Sequence, residues 1–483
     1  MDITLLHFIV CLPLVTAVAI LCGGPARQLA RGAGVFNALL GGALFYYFDR
    51  EDPGFQFAGS FEVLASPSIS FAVGVDGLGA VLVLLSVIVM LCAVWQIPRK
   101  VEGRMDLYCV SVLLIGGGAI GAFATTDLFF FYAFHELALI PTFLMIGIFG
   151  HGPDRSTVAW RITIYLGVGS LVLLAGLLWL VHASGAESFD IPTLIEAGQN
   201  LDAEVQKWIF LLLLIGFGTL VSLFPFHSWA APAYAAAPTP VSMLHAGVLK
   251  KFGLYGLLRL AVPMLPEGFA AWETLILVLL LGNVIFIGFV TISQRYLDRL
   301  LGYSSVMHMG YAFLGMMALN EVGYNGVVLM LFAHGLSIAL LFALCGHLRE
   351  RVPTMEIREL GGVAKAAPFL AVVFGMGAFA SIGLPGFANF AAEVMIFLSA
   401  FKGGLGDGGG LTALQITCII AVWGVVISAV YMLRAYRNVF QGEREPEEGT
   451  TDVAHESRWP LVLLVVALLA AGLFPNLILN LLP

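Results

Sequence analysis

Charge is what this sequence has least of. Only 11% of its 483 residues are Asp, Glu, Lys or Arg, against about a quarter in a soluble domain. Sixty per cent are hydrophobic, and the mean hydropathy is +0.95. A soluble fold cannot keep so much apolar surface from water, so a cytosolic enzyme and a secreted domain are excluded. The net charge of −8 also speaks against a nucleic-acid partner, which needs a basic surface. Cysteine is scarce as well. Cys11, Cys22, Cys92, Cys109, Cys345 and Cys418 form no Cys-x-x-Cys and lie in or beside apolar runs. Iron–sulfur and zinc sites need clustered thiolates, so these six read as small packing residues, with no metal or cofactor held by this chain. No short-period repeat and no low-complexity tail is visible. Length alone suggests roughly three soluble domains; composition overrides it and predicts one membrane domain over 1–483.

What is present is apolar runs of bilayer length, for which about 20 residues suffice. They cover 3–22, 32–48, 78–97, 107–125, 128–149, 160–181, 208–226, 240–263, 273–293, 300–319, 323–347, 366–401, 412–433 and 459–478. An all-α polytopic protein of about fourteen transmembrane helices is expected. The first run lacks the basic flank and cleavage site of a signal peptide and reads as a retained span. The run 366–401 is too long for one straight helix, has no loop for two, and holds Pro385-Gly386 at its middle.

The placement of Lys and Arg decides how often 366–401 crosses. With one crossing, alternate connections put seventeen cations on one side: Arg27, Arg31, Arg99, Lys100, Arg104, Arg155, Arg161, Arg295, Arg299, Arg349, Arg351, Arg358, Lys365, Arg434, Arg437, Arg444 and Arg458. The other side holds Arg50, Lys207 and Lys402. Two crossings would move the four at 434–458 to the wrong side. The run therefore crosses once, broken at Pro385-Gly386, with both termini outward and the basic loops cytoplasmic, at a bacterial inner membrane. The outward loops 49–77 and 182–206 are acidic or polar, as this requires. A second break is expected in 208–238, where Pro225-Phe226-His227-Ser228-Trp229, Pro232 and Pro238-Thr239-Pro240 interrupt an apolar stretch. Proline removes helical donors. Non-helical backbone at membrane depth survives only buried in protein or lining a wet cavity. A broken helix in each half marks an ion or substrate pathway, although a plain proline kink would also account for either one.

Ionisable groups inside spans are expensive and usually functional. Glu136, His245, Lys250, Lys251, His308, His334 and Glu393 lie within the runs. An acid, histidine, lysine and acid series is what proton relay requires, because each group changes charge at modest cost. These seven are the candidate relay residues, for proton transfer and not for chemical catalysis. Lys250 and Lys251 face about 100° apart on a helix, so one lines the path while the other snorkels or pairs elsewhere. Asp76 reads as a helix cap and Arg259 as an anchor. Gly116-Gly117-Gly118-Ala119-Ile120-Gly121 matches G-x-G-x-x-G but has no preceding strand; dinucleotide binding needs that context, and close helix packing is the better reading. Ser304-Ser305 and the histidines form no nucleophile–base constellation.

Several motifs, in order, then carry a resemblance. They are Val75-Asp76-Gly77-Leu78, Phe134-His135-Glu136 with Leu139-Ile140-Pro141, Pro225-Phe226-His227-Ser228-Trp229 with Ala237-Pro238-Thr239, and Ala246-Gly247, Lys251 and Tyr255-Gly256-Leu257-Leu258-Arg259. Tyr303-Ser304-Ser305-Val306 with His308-Met309-Gly310, Ala333-His334-Gly335-Leu336-Ser337 with Cys345-Gly346 and Glu350-Arg351, and Leu384-Pro385-Gly386 with Asn389-Phe390 and Glu393 complete the set. Over nearly its whole length the sequence resembles the antiporter-like subunit M family of bacterial NADH:quinone oxidoreductase (respiratory complex I). The resemblance implies two inverted five-helix repeats, placed at 107–263 and 273–437, after an N-terminal three-helix segment 1–106 and before a C-terminal helix 459–478. It implies roles for Glu136 as the fifth-helix acid, Lys251 as the central lysine, His308 and His334 as central-axis relay groups, and Glu393 as the terminal acid. With the sequence ending at Pro483, soon after its last run, the long lateral helix of the sister subunit L is not expected.

One departure stands out. The family places a lysine seven residues before the His of Pro-Phe-His-x-Trp; here that position is Leu220. The family's Trp-Leu-Pro-Asp-Ala-His is here Trp229-Ala230-Ala231-Pro232-Ala233-Tyr234. Lys250 or His245 substitutes for the lost lysine, or water or a neighbouring subunit does, or the first half-channel is modified or silent; the leading hypothesis is an extra cation at Lys250. The implied function is proton translocation by a membrane subunit of a complex I-like NADH:quinone oxidoreductase. No redox centre is expected in this chain; NADH, FMN, iron–sulfur clusters and quinone are expected in partner subunits, with subunit L- and N-like neighbours in the bilayer. The rivals are a subunit of a Mrp-type cation/proton antiporter or membrane-bound hydrogenase, and a structural role without transport.

Overall fold

The computed structural model describes residues 3–101, 103–403, 410–442 and 451–482; Arg444 lies outside them. In chain order the elements begin with α1 (Leu5–Leu21) and α2 (Ala26–Tyr47). A hairpin of β1 (Gln56–Ala65) and β2 (Ser68–Val75) follows, then α3 (Gly77–Trp95), α4 (Met105–Ala124), α5 (Leu128–Phe149), α6 (Arg155–Ser184), α7 (Ile191–Gln199), α8 (Ala203–Val221) and α9 (Ala230–Ala236). Next come α10 (Thr239–Leu244), a π-helical turn (His245–Leu249), α11 (Lys251–Gly256), a second π turn (Leu257–Ala261) and α12 (Val262–Met264). After α13 (Pro266–Ala271), a third π turn (Gly282–Phe286) joins α14 (Glu273–Leu281) to α15 (Ile287–Ile292). The chain continues through α16 (Leu297–Met317), α17 (Glu321–Arg349), α18 (Val363–Ala366), α19 (Pro368–Ile382), α20 (Ala388–Gly403), α21 (Ala413–Phe440), α22 (His455–Leu473) and α23 (Asn476–Leu479). Among the described residues nine helices are long and apolar enough to cross a membrane, with α14–α15 taken as one. Leu5–Leu21 and Pro368–Ile382 are shorter apolar helices. The protein is a multi-pass integral membrane protein, mostly helical as composition predicts.

Helix starts follow local chemistry. Asp76, Asp127, Asn320 and Thr412 each accept a backbone N–H of the first turn, satisfying a donor that the helix itself cannot. α17 is buried throughout its apolar stretch and forms the centre. α6 leaves Trp160, Ile164, Val168 and Leu171 exposed, and α21 leaves Ile419, Val422, Trp423 and Val426. These helical spacings mark lipid-facing stripes. The glycine run on α4 packs as expected of a helix interface. A Cβ at Gly117 would press on Pro13 and Leu14, one at Gly118 on the backbone of Phe134 and on Ala138, and one at Gly121 into the Phe134 ring.

The connections sort to two ends. At one end the hairpin meets the 187–189 strand-like segment, through Ser68 N–H to the Glu187 carbonyl and Phe189 N–H to the Ser68 carbonyl. The first and last described segments lie here: Thr4 Oγ1 donates to the Phe57 carbonyl at 2.7 Å, and the Leu481 carbonyl packs against Gly77. At the other end the basic connections meet. Arg349 pairs with Asp298 at 2.7 Å and donates to the Ala235 carbonyl at 3.0 Å, while Arg351 donates to the Thr451 carbonyl and Arg99 pairs with Glu456. The hairpin is a departure from the all-α expectation: the loop 49–77 holds two antiparallel strands, short and outside the apolar runs.

Both predicted breaks are present. α8 stops at Val221 because Ser222 turns left-handed, at φ +63°. The buried Asn283 side chain on the third π turn then takes over the freed backbone. Its Oδ1 accepts from Phe224 N–H at 2.6 Å, and its Nδ2 donates to the Ser222 and Val306 carbonyls at 3.3 and 2.8 Å. Trp229 Nε1 donates to the Thr219 carbonyl at 3.1 Å. The second break runs from Gly383 to Phe387, with Gly383 and Gly386 at φ +76° and +100°. The backbone of Gly472 on α22 seals it, leaving no room for a side chain. α19 and α20 lie end to end along α17: Gly377 packs on Leu340 and Leu341, Asn389 reaches Ser337, and Met395 and Ile396 pack on Gly326. Fifteen α17 residues separate the outer contacts, about 22 Å at 1.5 Å per residue, so α19 and α20 are two half-helices in line rather than a folded-back pair, the arrangement that the single-crossing reading expects.

Candidate functional site

The buried ionisable groups gather around α17 and the two breaks. The first π turn precedes both lysines: Lys250 N–H bonds the His245 carbonyl at 3.0 Å, five residues back. π turns inside helices are often functional sites. The Lys250 and Lys251 side chains then diverge, and both are fully buried. Lys251 Nζ donates to the Ala246 carbonyl at 2.6 Å and lies 2.9 Å from His334 Nδ1. Lys250 does not snorkel. Its Nζ donates to Ser305 Oγ at 3.3 Å and lies 5.8 Å from the centre of the Tyr234 ring.

From Lys251 a polar line continues across the molecule. The His334 and His308 rings are 5.8 Å apart, centre to centre. His308 Nδ1 lies 2.7 Å from the Ser304 carbonyl and Nε2 2.8 Å from the Ser381 carbonyl. A neutral imidazole has one N–H and an imidazolium two, so only the imidazolium donates to both carbonyls. Ser381 stands two residues before Gly383, where the break begins. The buried Glu393 carboxylate occupies the space beside Gly383, and a Cβ there would overlap it. Asn389 Nδ2 reaches Ser337 Oγ at 3.5 Å, and Ser337 Oγ donates to the His334 carbonyl at 3.2 Å. Lys251, His334, His308, Ser381 and the Glu393 break thus form one neighbourhood.

Glu136 belongs to another. Ser170 Oγ donates to its carboxylate and stands 2.9 Å from the Tyr132 hydroxyl, while His135 Nδ1 lies 3.6 Å from Glu136 Oε1. The carboxyl is one-third exposed in a cleft of about 140 Å³ between α5 and α6, lined also by Thr142, Thr163 and Leu166. Neither lysine is among its recorded partners. His245, next to Trp229 and Tyr234, has no hydrogen-bond partner on either ring nitrogen. Asp76 caps α3 through Gly79 N–H at 3.0 Å and pairs with Arg259, which also covers Tyr255 and Phe55. Both are anchors, as the sequence suggests.

Sequence reasoning missed Ser170, Tyr132 and Asn283, and named Ser305 only as part of a motif, without a role. Tyr132 is one helical turn before Glu136 and could have been found by that spacing. Asn283 stands as the one amide in the run 273–293, an isolated polar residue of the kind that marks buried function in a span. Ser170 carries no such signal, because serine is common in membrane helices.

The family model described as NADH:quinone oxidoreductase/Mrp antiporter, transmembrane, matches residues 125–430. The chain is 34% identical to NAD(P)H-quinone oxidoreductase chain 4 2 of Microcystis aeruginosa, covering 87% of this chain and 75% of that one. It is 30% identical to NADH-quinone oxidoreductase subunit M of Rickettsia prowazekii, over 99% and 97% of the two chains. Among solved structures it resembles a chain of respiratory complex I from Thermus thermophilus with bound NADH, at 31% identity and TM-score 0.88, covering 98% of this chain and 97% of that one. A chain of the Mrp complex from Dietzia, at 20% identity and TM-score 0.85 over 99% and 95%, shares the fold. The chain belongs to the NADH:quinone oxidoreductase/Mrp antiporter family of membrane subunits, and its similarity to subunit M and chain 4 members runs along most of its length.

Proposed function

We propose that this chain is a proton-translocating membrane subunit of a complex I-like NADH:quinone oxidoreductase. The observation that carries this reading is the buried line from Lys251 through His334 and His308 to the break beside Glu393. Lysine, histidine and glutamate side chains can each gain or lose a proton. Lys251 Nζ faces His334 Nδ1 directly, so a proton on the ammonium has an imidazole nitrogen to accept it. A charge brought to about 4 Å from such a group changes its energy by about 4 kcal/mol at an effective dielectric near 20, enough for roughly a thousandfold change in a protonation equilibrium. Energy from electron transfer elsewhere in the complex thus drives protonation and release along the line. The half-channels are 107–263, entered at Glu136, and 273–437, ending at Glu393.

In this reading the chain holds no redox centre. NADH, FMN, iron–sulfur clusters and quinone reside in partner subunits and carry out the electron transfer there. Its membrane neighbours are subunit L- and N-like chains. The arginine-rich end faces the cytoplasm of a bacterial inner membrane and both termini face outward, as the excess of cations on one side supports. The test is native co-purification in mild detergent, with NADH:quinone activity assayed and companions identified by mass. Flavin and iron–sulfur subunits with activity are expected. A set of small membrane proteins without redox subunits would place the chain in a cation antiporter instead. In the reconstituted complex, Glu136→Gln and Glu393→Gln should each lower pumping with assembly intact; full pumping by both contradicts the reading.

A further inference from the structure

Between Glu136 and the lysines lies a gap that no hydrogen bond or ion pair among the described residues bridges. It is filled by a small cavity lined by His135, Leu139, Leu166, Leu220, His245 and Leu249. About 10 Å³ of it is open to the centre of a water molecule, close to what one water needs, and a water also needs at least two polar partners. The lining supplies two. His135 and His245 are each only 4% exposed. Both nitrogens of His245 lack a hydrogen-bond partner, and unpaired buried polar atoms are costly; with His135 Nδ1 turned to Glu136 at 3.6 Å, its Nε2 is the nitrogen left for the water. The rings are held: His135 stacks on Phe252 at 4.3 Å between centres and 17°, and His245 packs edge-on to Trp229. Elsewhere the wall is leucine, and Leu220 stands where the resemblance expects a lysine.

We propose that this cavity holds one water joining His135 to His245, and that Glu136–His135–water–His245–Lys250 is the proton path of the first half. The inference rests on the proton-translocating reading above and deepens it. In each transfer an imidazole accepts a proton on one nitrogen and releases another from its second nitrogen, and the water accepts one proton and gives up one. Nothing is oxidised or reduced, and one proton moves from the Glu136 carboxyl to the Lys250 amine. The rings reset by exchanging tautomers. Glu136 Oε1 stands 3.6 Å from His135 Nδ1, a distance that a small side-chain movement closes. At the other end, the His245 ring and the Lys250 ammonium both lie against the Tyr234 ring, 5.5 Å and 5.8 Å from its centre. Polar continuity in the first half thus comes from two imidazoles and a water in place of a lysine side chain.

The test uses the whole complex in sealed vesicles and compares proton uptake per electron with uncoupled quinone reduction. His135→Phe and His245→Leu should each lose as much pumping as Glu136→Gln, with assembly and uncoupled turnover kept. His245→Gln, which keeps a hydrogen-bonding group but cannot relay, should lose pumping as well; restored pumping there would mean a structural role and overturn the relay. Adding Leu220→Lys to His245→Leu should regain pumping, since a lysine would then bridge the same space. If either histidine variant pumps like the parent while Glu136→Gln does not, the relay is wrong and the proton-translocating reading stands. If Glu136→Gln and Glu393→Gln both pump fully, that reading has failed instead. Where His245→Leu fails to assemble, the His245→Gln variant decides.

Discussion

The two halves of the molecule solve the same problem differently. Around the second break, Lys251 Nζ meets His334 Nδ1 at 2.9 Å, the His334 and His308 rings stand 5.8 Å apart, and His308 Nε2 reaches the Ser381 carbonyl just before Gly383. In the first half, Glu136 and its Ser170 and Tyr132 partners stop at a cavity walled by leucines, His135 and a His245 with neither ring nitrogen hydrogen-bonded. The breaks differ in the same sense. The first is held by an amide side chain, Asn283, which replaces lost backbone partners. At the second, a carboxylic acid occupies the space left by a glycine. A path through a membrane protein is therefore not set by where helices break. It is set by what takes over the freed space and the freed hydrogen bonds.

Several substitutions would break or sharpen this contrast. The largest effect is expected from Asn283→Leu. It leaves the Phe224 donor and the Ser222 and Val306 carbonyls without their amide partner, at about 1–3 kcal/mol for each buried group. Thermal unfolding of the purified complex should fall clearly, and an unchanged midpoint would mean that the break is held otherwise. Gly383→Ala comes next. It forces a non-glycine residue to φ +76° and drives a methyl into the Glu393 carboxylate; the left-handed conformation alone costs about 1 kcal/mol. Proton uptake should fall more than thermal stability does. Lys250→Leu should lower pumping while Lys251 keeps its His334 contact, and unchanged pumping would show that the first half hands over without Lys250. Ser305→Ala is the mildest, removing one hydrogen bond worth about 1 kcal/mol, with a small loss of pumping and a normal assembly yield.

Much of this was legible in the sequence. Apolar runs located the nine helices that are long and apolar enough to cross a membrane among the described residues, since a bilayer demands a length that composition records; the expected count of about fourteen is not reached by that measure. They gave poor ends: α2 begins at Ala26, well before the predicted 32, because Arg27, Gln28 and Arg31 are polar yet helical. The breaks were visible in Pro225 and Pro385-Gly386, because proline and glycine act locally. The buried ionisable residues were visible because they are rare in apolar runs. The hairpin, α7 and the three π turns were not. A π turn inserts one residue into a helix for reasons of tertiary packing and leaves no mark in composition. The cavity at Leu220 was half legible: the missing lysine could be read, but the His135–His245 pairing needs α5 and the first π turn to meet in space.

The central claim is that the line beginning at Lys251 carries protons. It is tested most directly by electron-transfer-driven proton uptake in vesicles containing the complex with Lys251→Met. The account predicts full assembly and uncoupled quinone reduction near the parental rate, with pumping lost. Proton uptake per electron equal to the parent's would contradict it.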